Sequence, residues 1–217
     1  MGKRWHKKTD KLKDSIISLG EDVEGRVSRS LEAVFKKDID LAKQIIATDS
    51  EIDEKEVQLE EECIKILALN QPVAGDLRFV VAVLKINNDL ERIADLAKNI
   101  AERAIGISEI PVQDEFPEIP VMAEITKSML RLALNSLQTL DVSEAHKVLK
   151  EDDKVDEIHR GMYEKVSEHV LQQPKLSPEF FQVLSLSRYL ERIADLTSNI
   201  SEDVIYFIDG EIIRHQD

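Results

Sequence analysis

Two identical stretches of this chain carry paired carboxylates. The sequence LERIADL occurs at Leu90–Leu96 and again at Leu190–Leu196, 100 positions apart. Each copy places a glutamate and an aspartate four residues apart, and like charges at that spacing destabilise a helix by roughly a few tenths of a kcal/mol. A second acidic pair precedes each copy. The eight candidate ligands are Asp49, Asp53, Glu91 and Asp95 in the first half, and Asp152, Asp156, Glu191 and Asp195 in the second.

A helical hairpin in each half would bring its two acidic pairs to the same height. Asp53 precedes Gln71 by 18 residues, and Glu91 follows it by 20. In the second half the corresponding residues lie 17 before and 18 after Gln173. Because both helices of a hairpin rise equally per residue, groups at similar distances from the turn face each other. Each hairpin is therefore predicted to gather four carboxylates.

Four carboxylates held this closely repel one another and raise one another's pKa values, and a bound cation would relieve that repulsion. Ligand sets made only of oxygen suit Mg²⁺, Mn²⁺, Ca²⁺ or iron. His159, three residues after Asp156, would add a nitrogen ligand to the second site, and Glu56 holds the matching position in the first. The spacing favours metal binding over a merely solvated acidic face. For His159, a ligand and an ordinary exposed histidine both stay open.

The apolar residues around the first heptapeptide predict that its carboxylates face outward. At about 100° per residue, four apolar residues fall within roughly 60° of Ile93 on a helical wheel: Ile86, Leu90, Ala97 and Ile100. Glu91 and Asp95 fall on the opposite side. These two side chains are thus expected to lie off the bundle core, so their removal should leave the fold intact.

Helical periodicity sets the elements that position these groups. Apolar residues recur at steps of three and four from Thr9 to the break at Lys36-Lys37-Asp38. Asp40 is predicted to cap a second helix that runs to about Leu69, and a third helix follows to Ile107. Three prolines between Ser108 and Pro120 mark a linker. After it we predict helices over residues 118–140, 143–171 and 177–208.

The two halves match well beyond the heptapeptide. Asn99, Glu102 and Ile105 follow the first copy, and the same residue types follow the second at positions 199, 202 and 205. We therefore predict an all-α fold of two tandem antiparallel three-helix bundles related by internal duplication. The first repeat covers residues 9–107, the proline-containing linker 108–120 and the second repeat 118–208.

Composition excludes several classes of function. A net charge of -14 would repel a phosphate backbone, so no nucleic-acid binding is expected. The single cysteine, Cys63, allows no intrachain disulfide and fits a reducing compartment. The basic start MGKRWHKKTDKLK lacks an apolar core, so it is not a signal peptide, and a cytoplasmic location is expected. For this start, with Trp5, we expect a frayed solvated end rather than a membrane contact.

The doubled motif resembles the PhoU family of bacterial and archaeal regulators of phosphate uptake. The resemblance rests on E-x-x-x-D within LERIADLxxNIxE and D-x-x-[IV]-D on the preceding helix, and it covers about Thr9 to Ile208. It implies two similar helical bundles with multinuclear metal clusters on their surfaces, bound by the eight carboxylates above. Iron, zinc, manganese and magnesium all stay open. Family members often carry Gly-Asp-His where this chain has Ala94-Asp95-Leu96, so the absent histidines weaken a nitrogen-ligated site and leave the carboxylates intact.

The resemblance also implies partners that the residues alone would not reveal. The family acts as a cytoplasmic accessory and negative regulator of the phosphate ABC transporter, and it helps a histidine kinase keep the phosphate-starvation response off. The implied partners are the transporter ATPase subunit and that kinase, with membrane association only through them. A homodimer stays open.

Three alternatives compete with this interpretation. Carboxylate-bridged di-iron enzymes are helical bundles too, but they need Glu-x-x-His motifs facing the core, which neither heptapeptide provides. We therefore predict that the chain is not an enzyme. An acidic scaffold that docks basic partners without metal is the second alternative. The third is a PhoU-like accessory of another phosphate transporter.

Overall fold

Helices make up nearly all of the part of the chain that the structure describes, and the prediction of an all-α fold of two tandem repeats is confirmed. The computed structural model describes residues 2–48 and 50–210, with side chains from Lys8 onward. The first half contains α1 (Gly2–Lys36), α2 (Ile39–Ala47), α3 (Ser50–Asn70) and α4 (Gly75–Gly106). The second contains α5 (Val112–Glu115), α6 (Glu118–Thr139), α7 (Val142–Gln172), a 3₁₀ turn (Pro174–Leu176) and α8 (Ser177–Asp209).

The start of the second helix differs from the prediction. The residue that caps α2 is Asp38, whose side chain accepts a hydrogen bond from the Leu41 backbone N–H at 2.9 Å. Asp40, the predicted cap, lies inside the first turn, where its negative charge still favours the helix N-terminus. The first helix also begins earlier than predicted, at Gly2 rather than Thr9.

The predicted second helix is in fact two helices that part at Thr48. No glycine or proline marks this break, but Thr48, Asp49 and Ser50 are residue types that often cap a helix, a local signal that the prediction did not use. The Thr48 hydroxyl donates to the Gln44 carbonyl at 3.1 Å, and Arg26 Nη2 donates to the Thr48 carbonyl at 2.5 Å. Arg26 is buried and thus satisfies a carbonyl that the helix end leaves without its usual partner. The corresponding helix of the second half, α7, is continuous.

The proline-rich connection is partly folded into the protein. Its short helix α5 and the flanking residues bury Ile110, Val112 and Phe116. Phe116 packs edge-on against Phe180, with ring centroids 5.9 Å apart. The segment therefore holds the two repeats through apolar contacts and is more than a solvated spacer.

The two repeats share one hydrophobic core, because their last helices, α4 and α8, pack directly against each other. In each half the other long helices surround this central pair. The centre of each LERIADL copy is buried, including Ile93, Ala94, Ile193 and Ala194. The apolar residues of the duplicated motif thus build the core, and the acidic residues of the motif are left on the outer side.

No helix within the described ranges is both long enough and apolar enough to cross a membrane.

Two glycines of α1 offer a test of this packing. A Cβ at buried Gly20 would lie 2.4 Å from Leu134 Cδ2 of α6, whereas a Cβ at exposed Gly25 would meet nothing within 4 Å. Both replacements by alanine gain up to about 1 kcal/mol of helix propensity. We expect Gly25→Ala to stabilise the protein by about that amount and Gly20→Ala to cost about 1 kcal/mol net through overpacking. Urea unfolding measures both, and equal effects would contradict the α1–α6 packing.

Candidate metal centres

Three of the predicted ligands in the second repeat come together between α7 and α8. One ligand oxygen from each of Asp156, Glu191 and Asp195 lies within 4.8 Å of the others. Asp156 and Glu191 are half-buried, and Asp195 is exposed. Separations of this size allow the three carboxylates to bind one cation or to bridge two.

The fourth predicted ligand, Asp152, lies one turn before Asp156 on α7. Partial burial and the negative charges of Asp195 and Asp156 raise the pKa of Asp152 to about 6. Its Oδ1 is buried, and a hydrogen bond with the Ser198 side chain opposes the rise in the pKa of Asp152 only in part. A buried carboxylate among other negative charges is costly, and a cation would offset that cost. The residues present therefore fit a metal.

The same physical causes act on the rest of this cluster. Burial first, and then the charge of Asp195, raises the pKa of Glu191. Burial and Asp156 raise the pKa of Asp195, although the guanidinium of Arg192 opposes the rise. All three shifts have the direction expected of carboxylates that share a site with too little positive charge.

The first repeat arranges its acidic groups on the same plan. Burial and the charges of Asp95, Glu56 and Asp53, in that order, raise the pKa of Glu91. Glu91 is half-buried, and Asp53 and Asp95 are exposed, as the helical wheel predicts. The remaining predicted ligand, Asp49, lies outside the described residues.

Glu56 is held by an asparagine that the motif did not highlight. Asn87 Nδ2 donates to Glu56 Oε1 at 3.0 Å and to the Glu56 backbone carbonyl at 3.1 Å. Asn87 is only 1% exposed, so this contact ties α3 to α4 from inside the bundle. It fixes the Glu56 carboxylate near Glu91, where it adds a fourth described negative group to the first site.

The second repeat has a contact of the same kind at the equivalent positions. His159 Nδ1 lies 2.9 Å from Ser187 Oγ, and that hydroxyl donates its hydrogen to the Leu184 carbonyl at 2.8 Å. The serine oxygen must then accept from His159, which assigns the proton of the neutral ring to Nδ1. Burial also lowers the pKa of His159, which favours the neutral form. His159 is not part of the three-carboxylate cluster.

Asn87 and Ser187 are the positions beside the candidate sites that sequence reasoning missed. They occupy the same place in the duplicated helix, and both are buried polar residues within an apolar stripe. A buried polar side chain needs a hydrogen-bond partner, so a polar residue at one core position of both repeats was the available signal. Through Glu56 and His159, respectively, they form hydrogen bonds to the helix that carries the Asp-x-x-x-Asp pair of each repeat.

The arrangement differs from that of an oxidative di-iron enzyme. The carboxylates lie on the outer side of each bundle, and Asp95 and Asp195 are exposed to solvent. A site this open does not exclude water from a reactive intermediate. Its geometry suits cation binding on a surface that remains accessible to another protein.

Comparison with known proteins agrees with this architecture. A family model described as "PhoU domain" matches residues 16–104 and again residues 119–204. The chain belongs to the PhoU family. The family assignment made from the doubled acidic motif is confirmed.

Relatives of the PhoU family match over nearly the whole chain. The phosphate-specific transport system accessory protein PhoU homolog of Aquifex aeolicus is 37% identical over 210 residues, which cover 97% of this chain and 95% of that protein. The corresponding protein of Escherichia coli K12 is 29% identical over 98% of this chain and 88% of its own length.

Solved PhoU structures share the fold. The crystal structure of PhoU from Pseudomonas aeruginosa superposes with a TM-score of 0.91 at 29% identity, covering 95% of this chain and all of that one. The phosphate transport system regulatory protein PhoU from Streptococcus pneumoniae gives 0.85 at 28% identity, over 96% of this chain and 99% of that one. These relatives are named as accessory and regulatory proteins, and the prediction that the chain is not an enzyme is confirmed.

Proposed function

We propose that this chain is a cytoplasmic accessory of a phosphate-specific transport system that restrains phosphate uptake. Family membership over both repeats supports the transport role, because the full-length relatives carry that name. The proposed partners are the ATPase subunit of the phosphate ABC transporter and the histidine kinase of the phosphate-starvation response. Bound to both, the protein would report transporter activity to the kinase and keep the response off when phosphate is plentiful.

We also propose that each repeat holds a metal cluster on its outer face. The observation that carries this proposal is the convergence of Asp156, Glu191 and Asp195 within 4.8 Å, beside the partly buried carboxylate of Asp152. In the first repeat the corresponding ligands are Asp49, Asp53, Glu91 and Asp95. All-oxygen ligands fit magnesium, manganese or iron. Zinc is the least suited of the proposed metals, since His159 hydrogen-bonds to Ser187 outside the cluster.

A bound metal would change what the surface offers a partner. Without it, each site presents several negative charges that repel one another, and this repulsion adds to the effect of burial in raising the pKa values of Glu91 and Glu191. A bound divalent cation would cancel two of the four carboxylate charges of a site, and two cations would cancel all four, so the metal-loaded face would repel an acidic or phosphorylated surface less and could bind it through the metal. The metal-free scaffold, which would dock basic partner surfaces instead, is the second candidate function, and the overall charge of -14 favours it.

Deletion of the gene tests the regulatory role. In phosphate-rich medium we expect the deletion strain to express phosphate-starvation genes and to take up phosphate faster. The wild-type gene should restore repression. The quadruple variant E91Q/D95N/E191Q/D195N, which alters ligands of both clusters, should fail to restore repression. The control variant E164Q/E168Q, which alters an exposed acidic pair elsewhere on α7, should restore repression.

The outcomes separate the two candidates. Unchanged starvation-gene expression and phosphate uptake in the deletion strain would refute the regulatory role. Full repression by the quadruple variant, with its fold verified by circular dichroism, would refute the need for metal and leave the scaffold.

A further inference from the structure

One end of the molecule exposes a group of apolar side chains. Leu69, Val73 and Leu77 surround the turn between α3 and α4 and are 76%, 72% and 42% exposed. Single exposed apolar residues are ordinary on a protein surface, but three within nine residues at one turn form a patch that marks an interaction surface. They contribute nothing to the shared core.

The first helix begins at this same end. Lys8 Nζ donates to Asn70 Oδ1 at 3.0 Å, and Lys11 forms an ion pair with Glu62 at 2.5 Å, so α1 runs antiparallel to α3. Helix α1 starts at Gly2, six residues before Lys8, and α3 ends at Asn70. At 1.5 Å per residue, the first turns of α1 run about 9 Å past the end of α3.

The start of α1 differs in charge from everything that follows. Residues 1–13 contain six lysines and arginines and one aspartate, a net charge of +5. The whole chain carries -14, so the remaining residues carry -19. Glu62, which pairs with Lys11, and the exposed Asp10 and Asp76 reduce the positive charge of this end. Trp5, the only tryptophan, lies in the same segment.

We propose that this end, the basic tip (residues 2–13 with Leu69, Val73 and Leu77), docks directly on an anionic membrane surface. Anionic headgroups attract clustered lysine and arginine, and exposed leucine and valine partition into the interface. Each contribution alone gives weak, reversible binding, and the two together hold a protein at a membrane. This goes beyond the proposed function and replaces the expectation that the chain reaches the membrane only through its partners.

A lipid surface is favoured because the basic tip combines positive charge with exposed apolar side chains. A protein partner with an acidic patch would use the lysines but would leave the apolar side chains at the end of the molecule unexplained. A second copy of this chain would bury the apolar residues but would bring two basic segments together, which repel each other. An anionic bilayer satisfies both features at once.

Vesicle co-sedimentation of the full chain tests the proposal. We expect binding to vesicles of phosphatidylcholine with phosphatidylglycerol, little binding to phosphatidylcholine alone, and weakening at high salt. K3Q/R4Q/K7Q should weaken the partition coefficient about a hundredfold, and L69S/V73S/L77S about tenfold. The controls K147Q/K150Q/R160Q on α7 and V57S/I64S on α3 remove exposed basic and apolar side chains outside the basic tip and should bind as wild type.

Several results would overturn the proposal that the basic tip docks on a membrane. These are no binding to the anionic vesicles, equal binding to neutral ones, or the same loss in the controls as in the tip variants. A wild-type dimer that L69S/V73S/L77S converts to monomer, with vesicle binding unchanged, would assign the patch to self-association instead. None of these measurements depends on phosphate regulation or on metal, so failure here leaves the proposed function standing.

Discussion

The double variant E191Q/D195N is expected to lose the metal of the second repeat while the protein stays folded. Both side chains keep their size, but their charge and much of their affinity for a cation disappear. Glu191 and Asp195 lie outside the core that Ile193 and Leu190 build, so the helix packing should survive. Elemental analysis after purification without added metal should show about half the metal of the wild type, since each cluster depends on its own ligands. The equivalent variant E91Q/D95N should lose the other half.

Stability gives an independent readout of the same sites. In the wild type, EDTA should lower the melting temperature and restored metal should raise it, because a ligand that binds only the folded state stabilises it. The quadruple variant should show no response to either. E164Q/E168Q serves as the matched control, since it removes an exposed pair at the same spacing and should respond like the wild type. A wild type that contains no metal and does not respond to Mn²⁺, Mg²⁺, iron or Zn²⁺ would refute the metal hypothesis.

The regular part of the fold followed from periodicity because apolar stripes at steps of three and four specify helices whatever surrounds them. The wheel around Ile93 correctly separated the buried residues of the heptapeptide from Glu91 and Asp95. The hairpin argument correctly brought Asp156 and Glu191 together from different helices. Both arguments use only the helical rise and rotation, which vary little between proteins.

The features that the sequence did not predict depend on tertiary contacts. The break at Thr48 is stabilised by Arg26 from another helix, and the capping residue types Thr48, Asp49 and Ser50 do not by themselves distinguish a break from a continuous helix. The burial of Val112 and Phe116 within a proline-rich stretch depends on neighbours from the second repeat. The pairing of Asn87 with Glu56 likewise needs the register of two helices, although the buried position of Asn87 in an apolar stripe was visible.

The metal-free protein should become more stable as the pH falls towards 4. The pKa of Asp152 is 3.8 in an unfolded chain and about 6 in the folded one, because burial and the charges of Asp195 and Asp156 favour its neutral form. At pH 7 the folded state therefore bears the cost of a charged Asp152. Between pH 6 and 4 the folded state takes up the proton before the unfolded state does, and that cost is relieved. After a discount for partial exposure the gain is about 1–2 kcal/mol.

Metal should reverse this slope, because its ligands bind as carboxylates and protons compete with it. Urea unfolding at several pH values, with EDTA and with saturating metal, should give curves of opposite slope. Other groups act against the metal-free trend, since the hydrogen bond to Ser143 holds the pKa of Asp141 low and that stabilisation is lost in acid. The free energy of unfolding of the wild type is therefore compared with that of Asp152→Asn at each pH. The difference between the two proteins cancels the contributions of all other titrating groups. If the stability difference between these two metal-free proteins is the same at pH 7 and pH 4.5, Asp152 does not carry the shifted charge and the second site is not the crowded carboxylate cluster described above.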